Sequence, residues 1–462
     1  MIDELEQQIL DRPDDPAAYL VYGDYLQGLG DPRGRMIAAH AAGTAAEELE
    51  AKIVAAEATL DLEPPPRFGW YLGFWRAIHI GSFGWSAKPP YDQHATDLLA
   101  TKSAQFVREI QAEGMFTPAV MAPIAAHAST LENLHVTSRD AKLDDSCLHA
   151  LRACTKLREL AMFSCQPMTG AGIEHLRALE QLATIDLRNH VLDDTGARWL
   201  GELPRLADVR FNTTGRLSPE AMRRLATPPL VSLQLAGELL DDACIEALAG
   251  HRTLANLEMY ELAIRERGAA ALGTLPLRRL YIPSSTIDDA GVRRLPNQLR
   301  SLHLGHCEAV TDAACAAIGQ LNQLRFLDLS ATQITGEGLG MLRTLPLEQL
   351  DLGFCELDDD AVRALAAFPK LRSLGLGNTN LTDAAIDTVM QLPLLEELEL
   401  GGTAITRRAI ARLATLPKLS TLGLEDCDDT ARTHAATFTH WYINTRDSIE
   451  IYDDYESTLT DP

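Results

Sequence analysis

The residues best suited to chemistry are eight cysteines, 13 histidines and a surplus of carboxylates, 65 Asp and Glu against 41 Lys and Arg. Cysteine and histidine ligate zinc when they come in close pairs such as C-x-x-C, and no such pair occurs. Cys165, Cys307, Cys355 and Cys427 instead each stand eight residues after a leucine, namely Leu157, Leu299, Leu347 and Leu419. Thr214, Ser285, Thr332, Thr379 and Thr403 hold the same place elsewhere in the chain. A small polar side chain or thiol recurring at one register marks a position of a repeat rather than a member of a ligand cluster, and free cysteine is readily buried. Cys147, Cys244 and Cys315 fall in helical stretches and Cys154 near a helix end, so no metal site and no cofactor are expected. The chain also lacks H-E-x-x-H, G-x-S-x-G and G-x-x-x-x-G-K, and its histidines are scattered rather than grouped with cysteine or carboxylates. No catalytic residue is nominated, and a non-enzymatic protein is the expectation.

The leucines that index those cysteines belong to a longer series. Leu324, Leu327 and Leu329 form an L-x-x-L-x-L frame, followed by Thr332 and by an amphipathic run from Ile334 that stops at Pro346. Copies begin at Leu131, Leu157, Leu182, Leu206, Leu230, Leu254, Leu277, Leu299, Leu324, Leu347, Leu371, Leu395 and Leu419, 22 to 26 residues apart. Within the frame the last two apolar positions point to one face of a short strand and the residue between them to the other. Asp144, Thr169, Asp193, Ser218, Asp241, Asp288, Thr311, Thr335, Asp358, Thr382 and Thr406 precede helical patterns as N-caps should, and Arg265 alone breaks that series. Proline at 204, 276, 296, 346, 369, 393 and 417 ends the helices, which it cannot continue. One such unit buries too little to offset the entropy of ordering it, so units must stack and share a core.

Fixed self-similarity at this period marks a solenoid, and the frame resembles the leucine-rich repeat over about two thirds of the chain. The resemblance implies an α/β horseshoe with a parallel concave sheet and helices on the convex side. It also implies a ladder position, eight residues after the first leucine of each unit, where a small polar side chain or thiol turns inward to satisfy backbone groups of the turn, because an unpaired buried amide is costly. Some bacterial members of that family carry a ubiquitin-ligase domain; this chain leaves no segment of adequate size for one outside the array.

Ahead of the repeats, residues 2–10, 15–28 and 32–42 read as short helices. The run Leu20-Val21-Tyr22-Gly23-Asp24-Tyr25-Leu26 with Gly30-Asp31-Pro32-Arg33-Gly34 resembles the small companion domain that precedes repeat arrays in many bacterial proteins. It departs from that family at Tyr25, usually tryptophan, and at Arg35, often glutamate. Asp31 is read as a helix cap between Gly30 and Pro32. A further helix from Ala41 to Leu62 is stopped by Pro64-Pro65-Pro66. Then come Phe68, Trp70, Tyr71, Phe74, Trp75, Phe83, Trp85 and Tyr91, read as rings covering the open end of the first repeats, with strands expected around Trp75–Ile80 and Val107–Ile110. Strands at Phe438–Ile443 and Ser448–Tyr452 would close the other end. The expected organisation is 1–62 helical domain, 63–130 aromatic cap with irregular first repeats, 131–430 repeat array, and 431–462 C-terminal cap.

A hydrophobic content of 46% supplies ample core, and no long uncharged apolar run suggests a membrane span. The acidic start Met1–Glu6 lacks the basic and apolar regions of a signal peptide, so a cytoplasmic location is expected, and a monomer is the expected state of the chain on its own. A net charge of −24 argues against nucleic acid as the main partner, because phosphate binding rests on Lys and Arg. It favours solubility, or a basic protein or peptide as partner.

Framework positions are consumed by stacking, so recognition falls to the strand residues that point away from the core. That series includes Arg210, Glu258, Tyr281, His303, Asp328, Asp351 and Glu399, with Tyr260 on the next outward position. Tyr260, Tyr281 and His303 form an expected aromatic centre, and Asp328, Asp351 and Glu399 an acidic flank within a glycine-rich half. Aromatic residues are over-represented among interface hot spots. The expected role is a protein-binding scaffold, with a regulatory inhibitor or sensor subunit as the alternative and a ubiquitin-ligase-like enzyme as a remote one.

Overall fold

The computed structural model describes residues 2–57, 66–81, 91–138, 143–163, 168–212, 217–236, 240–427 and 442–444. Phe83, Trp85, Cys165, Thr214 and the segment Ser448–Tyr452 lie outside them. The chain divides into two compact units, residues 1–215 with 223–230, and residues 216–222 with 231–462, so the division falls inside the repeats.

In the first unit, α1 (Ile2–Asp11), α2 (Pro16–Gly28), α3 (Pro32–Ala41) and α4 (Glu47–Glu57) lead into the strands β1 (Arg67–Tyr71), β2 (Phe74–Gly81), β3 (Glu109–Gly114), β4 (Asn133–Ser138), β5 (Glu159–Phe163), β6 (Thr184–Val191) and β7 (Asp208–Asn212). Proline opens α2 and α3, where a missing N–H costs nothing, and the carboxylates of Asp15 and Asp31 accept from Ala17 N and Arg33 N as caps. Tyr19, Tyr22 and Leu26 of α2 pack with Leu72, Phe74 and Phe106 in one buried cluster, fastening the helices to the first strands. β1 pairs antiparallel with β2, and β2 to β7 run parallel in sequence order. The irregular units expected at Trp75–Ile80 and Val107–Ile110 are thus β2 and the approach to β3. Trp75 is fully buried, stacked on Phe68 at 4.1 Å and edge-on to Trp70 at 5.9 Å.

The second unit holds β8 (Ser232–Ala236), β9 (Asn256–Met259), β10 (Arg279–Tyr281), β11 (Ser301–His303), β12 (Phe326–Asp328), β13 (Gln349–Asp351), β14 (Ser373–Gly375), β15 (Glu397–Glu399), β16 (Thr421–Gly423) and β17 (Tyr442–Asn444). All pair parallel in sequence order, and the frame leucines Leu257, Leu280, Leu302, Leu327, Leu350, Leu374, Leu398 and Leu422 stand in register. Parallel pairing follows from the return helix, which carries the chain back to the same end of the sheet.

Caps behave as the spacing predicts at Asp144, Asp193, Asp241, Asp288, Thr311, Thr335, Thr382 and Thr406, each accepting from its own first turn. A second carboxylate set, not anticipated from the sequence, ties neighbouring repeats. Asp145, Asp289, Asp312, Asp359 and Asp383 accept from the N–H and hydroxyl of Thr169, Thr311, Thr335, Thr382 and Thr406, one repeat on. Asp242 does the same for Arg265 N and Gly268 N, which explains how a cap-less helix start is satisfied.

The ladder register holds. Thr332 and Thr379 donate from Oγ1 to Leu329 O and Leu376 O at 2.6 Å, and Cys355 and Cys427 donate from Sγ to Leu329 O and Leu400 O at 3.2 and 3.1 Å. Burial pushes the Cys307, Cys355 and Cys427 thiols up, leaving little reactive thiolate at neutral pH. Native protein is expected to react with a thiol reagent at Cys307 and Cys355 only after unfolding. Rapid stoichiometric labelling of either, read by mass spectrometry in native buffer, would show the inward assignment to be wrong.

Candidate functional site: the strand face opposite the helices

The residues between the second and third frame positions stand side by side because the strands pair without offset. In the second unit the row runs Gln234, Glu258, Tyr281, His303, Asp328, Asp351, Gly375, Glu399, Gly423. Arg210 belongs to the first unit. Its guanidinium is engaged by both Asp208 oxygens at 3.1 and 2.9 Å and lies 3.6 Å from Asp186. The other seven nominated residues lie together in the second unit.

Tyr260, Tyr281 and His303 form a continuous run of rings, with centroids 5.3 Å apart for the tyrosines and 4.9 Å for Tyr281 and His303. Glu258 organises one end, accepting from Tyr260 OH at 2.5 Å and from Gln234 Nε2 at 2.7 Å. Both tyrosines are half-buried. Burial, reinforced at Tyr260 by the hydrogen bond to Glu258, pushes their hydroxyls up, so they stay protonated donors. The ring pair is held in place before any ligand arrives, which lowers the entropy lost on binding.

His303 is buried at 4% exposure, a correction to the expectation that it stands free on the surface. Its Nε2 meets Ser301 Oγ at 2.8 Å, and its Nδ1 lies 4.0 Å from Asp328 Oδ2. Burial lowers its pKa to about 4, so the ring is neutral at pH 7 and serves as the back of the aromatic run. Serine, histidine and aspartate here match a hydrolytic triad in residue type alone. Ser301 is 1% exposed, and 4.0 Å is too long for the aspartate to orient the imidazole by a hydrogen bond.

Asp351 and Glu399 are likewise buried, at 7% and 2%, and are not the solvated flank the sequence suggested. Asp351 Oδ1 accepts from Gly353 N at 2.8 Å and Glu399 Oε1 from Gly401 N at 2.7 Å. Neighbouring glycines make the room: a Cβ on Gly375 would sit 2.4 Å from Asp351 Oδ1. Asp328 is half-buried and accepts from Ser330 N and Oγ at 2.9 and 2.7 Å. Burial raises both aspartates, Asp351 to about 7 with the Asp328 charge as the next cause.

Two features escaped the sequence reading. His190 sits at the ladder position eight residues after Leu182, fully inside, accepting at Nδ1 from Met168 N at 2.8 Å with Nε2 3.1 Å from Met162 O. Its register was the available signal. Phe354 stands 49% exposed with φ of 60°, in the same turn as buried Cys355. Among the described residues, no group of three His, Cys, Asp or Glu could hold a metal ion, and no helix is long and apolar enough to cross a membrane.

Residues 346–366 match the family model described as Leucine Rich repeat. With the in-register parallel strands and return helices, this defines the class of protein: an α/β solenoid of leucine-rich repeats. Solved structures with similarity include an internalin, InlF, from Listeria monocytogenes, at 18% identity and TM-score 0.48 over 69% of this chain and 88% of that one. A leucine-rich repeat protein of Leptospira interrogans matches at 19% identity and TM-score 0.43 over 72% and 91%, and the yeast Rad7 and Elc1 complex at 18% and 0.48 over 72% and 84%. No curated protein matches the chain.

Proposed function

We propose that this protein is a non-enzymatic binding scaffold whose partner, a protein or peptide carrying basic residues, docks on the strand face of the second unit around Tyr260 and Tyr281. The observation that carries this reading is the pre-ordered run of rings anchored by Glu258. Stacking consumes the frame leucines, while these tyrosines keep part of their surface open, and half-open aromatics with a polar tip suit interface anchors. His303, Asp328, Asp351 and Glu399 act from behind and beside them, as packing and hydrogen-bonded support, rather than as a row of solvated contacts. The net charge of −24 favours a basic partner and faster association at low salt. A small N-terminal domain of the companion type, a cytoplasmic setting and a monomeric state complete the proposal.

Affinity capture from an extract of the native cells, run in parallel with wild-type protein and a Tyr260→Ala/Tyr281→Ala variant, tests it. A specific partner is expected with the wild type, and the double variant should weaken its binding by about 2 kcal/mol, near thirty-fold. Unchanged affinity in a folded double variant would sink this site.

A further inference from the structure

The turns that follow the strands of the second unit differ from the strand starts in charge. Residues 281–287, 303–310, 328–334, 351–357, 375–381, 399–405 and 423–427 contain seven carboxylates and no lysine or arginine. The opposite end of the same strands carries Arg278, Arg300, Arg325 and Arg372. In each turn one residue takes a left-handed backbone: Ser284, His306, Ala331, Phe354, Asn378, Gly402 and Asp426, with φ between 51° and 67°. Short or polar residues and glycine suit that conformation, and a bulky ring does not. Phe354 nevertheless occupies it, and its ring is 49% exposed, with the His306 ring 6.5 Å away. Strain and exposed apolar area both count against the folded state.

We infer that Phe354 and His306 form a second anchor point, a rim platform that takes an arginine side chain of the partner; this rests on the scaffold reading above and names the chemistry of its ligand. A planar guanidinium stacks on an aromatic face and pairs with carboxylates at its edge, which a lysine ammonium does less well. Glu356 and Glu308, both exposed and two residues beyond Phe354 and His306, are placed to supply such carboxylates. The absence of any competing lysine or arginine in these turns leaves the platform to a cation from outside.

The test uses the full chain and three fluorescein-labelled hexapeptides, Gly-X-Gly-X-Gly-Gly, in which X is arginine, lysine or leucine, read by fluorescence polarisation. The arginine peptide is expected to bind at least five-fold tighter than the lysine peptide and tighter still than the leucine peptide, and Phe354→Ala should bring arginine down to the lysine level. Phe354→Gly should show the same loss while raising Tm, since glycine relieves the backbone. Equal binding of arginine and lysine peptides, preference for leucine, a preference for arginine that survives Phe354→Ala, or a lowered Tm in Phe354→Gly would each overturn the rim platform. The loss of arginine preference in the Phe354 variants reports on the rim, whereas the tyrosine pair tested against a captured partner reports on the scaffold, so either can fail without the other.

Discussion

Gly81→Ala is expected to lose about 3 kcal/mol or more of folding stability in the first unit, more than an exposed or half-buried substitution elsewhere in the chain would cost. Gly81 ends β2 with φ of 87°, and a Cβ there would stand 1.9 Å from the Glu113 carbonyl oxygen on β3. Two separate costs add. The backbone conformation strains any L side chain by about 1–3 kcal/mol, and the clash is with backbone rather than with the end of a mobile side chain. β2 and β3 must then part at Gly81–Glu113, on the strand that carries the buried Trp75 and Ile80. Urea melts of the variant and wild type check this, and stabilities within about 1 kcal/mol of each other would mean that the strands yield at that point.

Asp351→Asn is expected to stabilise the second unit at pH 8 by about 2–4 kcal/mol and to lose that advantage at pH 4. Burial raises the folded-state pKa of Asp351 to about 7, against about 3.9 for an unfolded aspartate. A carboxyl raised on folding binds its proton more tightly in the native state. Its penalty is therefore absent below about pH 4, grows as pH rises from there, and is complete above about pH 7. Asparagine keeps an oxygen for Gly353 N and carries no charge to desolvate, and it also removes repulsion from Asp328. Thermal melts of both proteins from pH 4 to pH 8 give the difference directly. A difference that stays flat across that range would show that Asp351 is ionised in the fold at no cost.

Asp351 and Glu399 also mark where reading the chain falls short. Alternation along a strand says which face a side chain leaves by, and it places these residues on the face away from the helices. Whether that face is wet depends on neighbours that are 23 or 24 residues away in sequence and one strand away in space. Gly375 and Gly423 leave gaps, and the carboxylates lie down into them onto backbone N–H groups. The glycines were legible as a composition, but their consequence required the register. The doublets Asp144-Asp145, Asp241-Asp242, Asp288-Asp289 and Thr311-Asp312 were legible too. The first member reads as a cap by local rules, whereas the second caps the next repeat, a contact that exists only after stacking.

Residue spacing by itself determined the repeat and the strand and helix of each unit, because those follow from 2.0- and 3.6-residue periodicity and from stop signals local to each unit, while the ladder and the parallel order came with the resemblance that the repeat carries. It also brought Tyr260, Tyr281 and His303 onto one face. Tertiary structure alone decided which of them remain accessible, the placing of Arg210 in a different unit from the other nominated residues, and the exposure of Phe354 on a left-handed turn. Those outcomes depend on side-chain volume and hydrogen bonding between neighbouring repeats, and no window along the chain contains both partners.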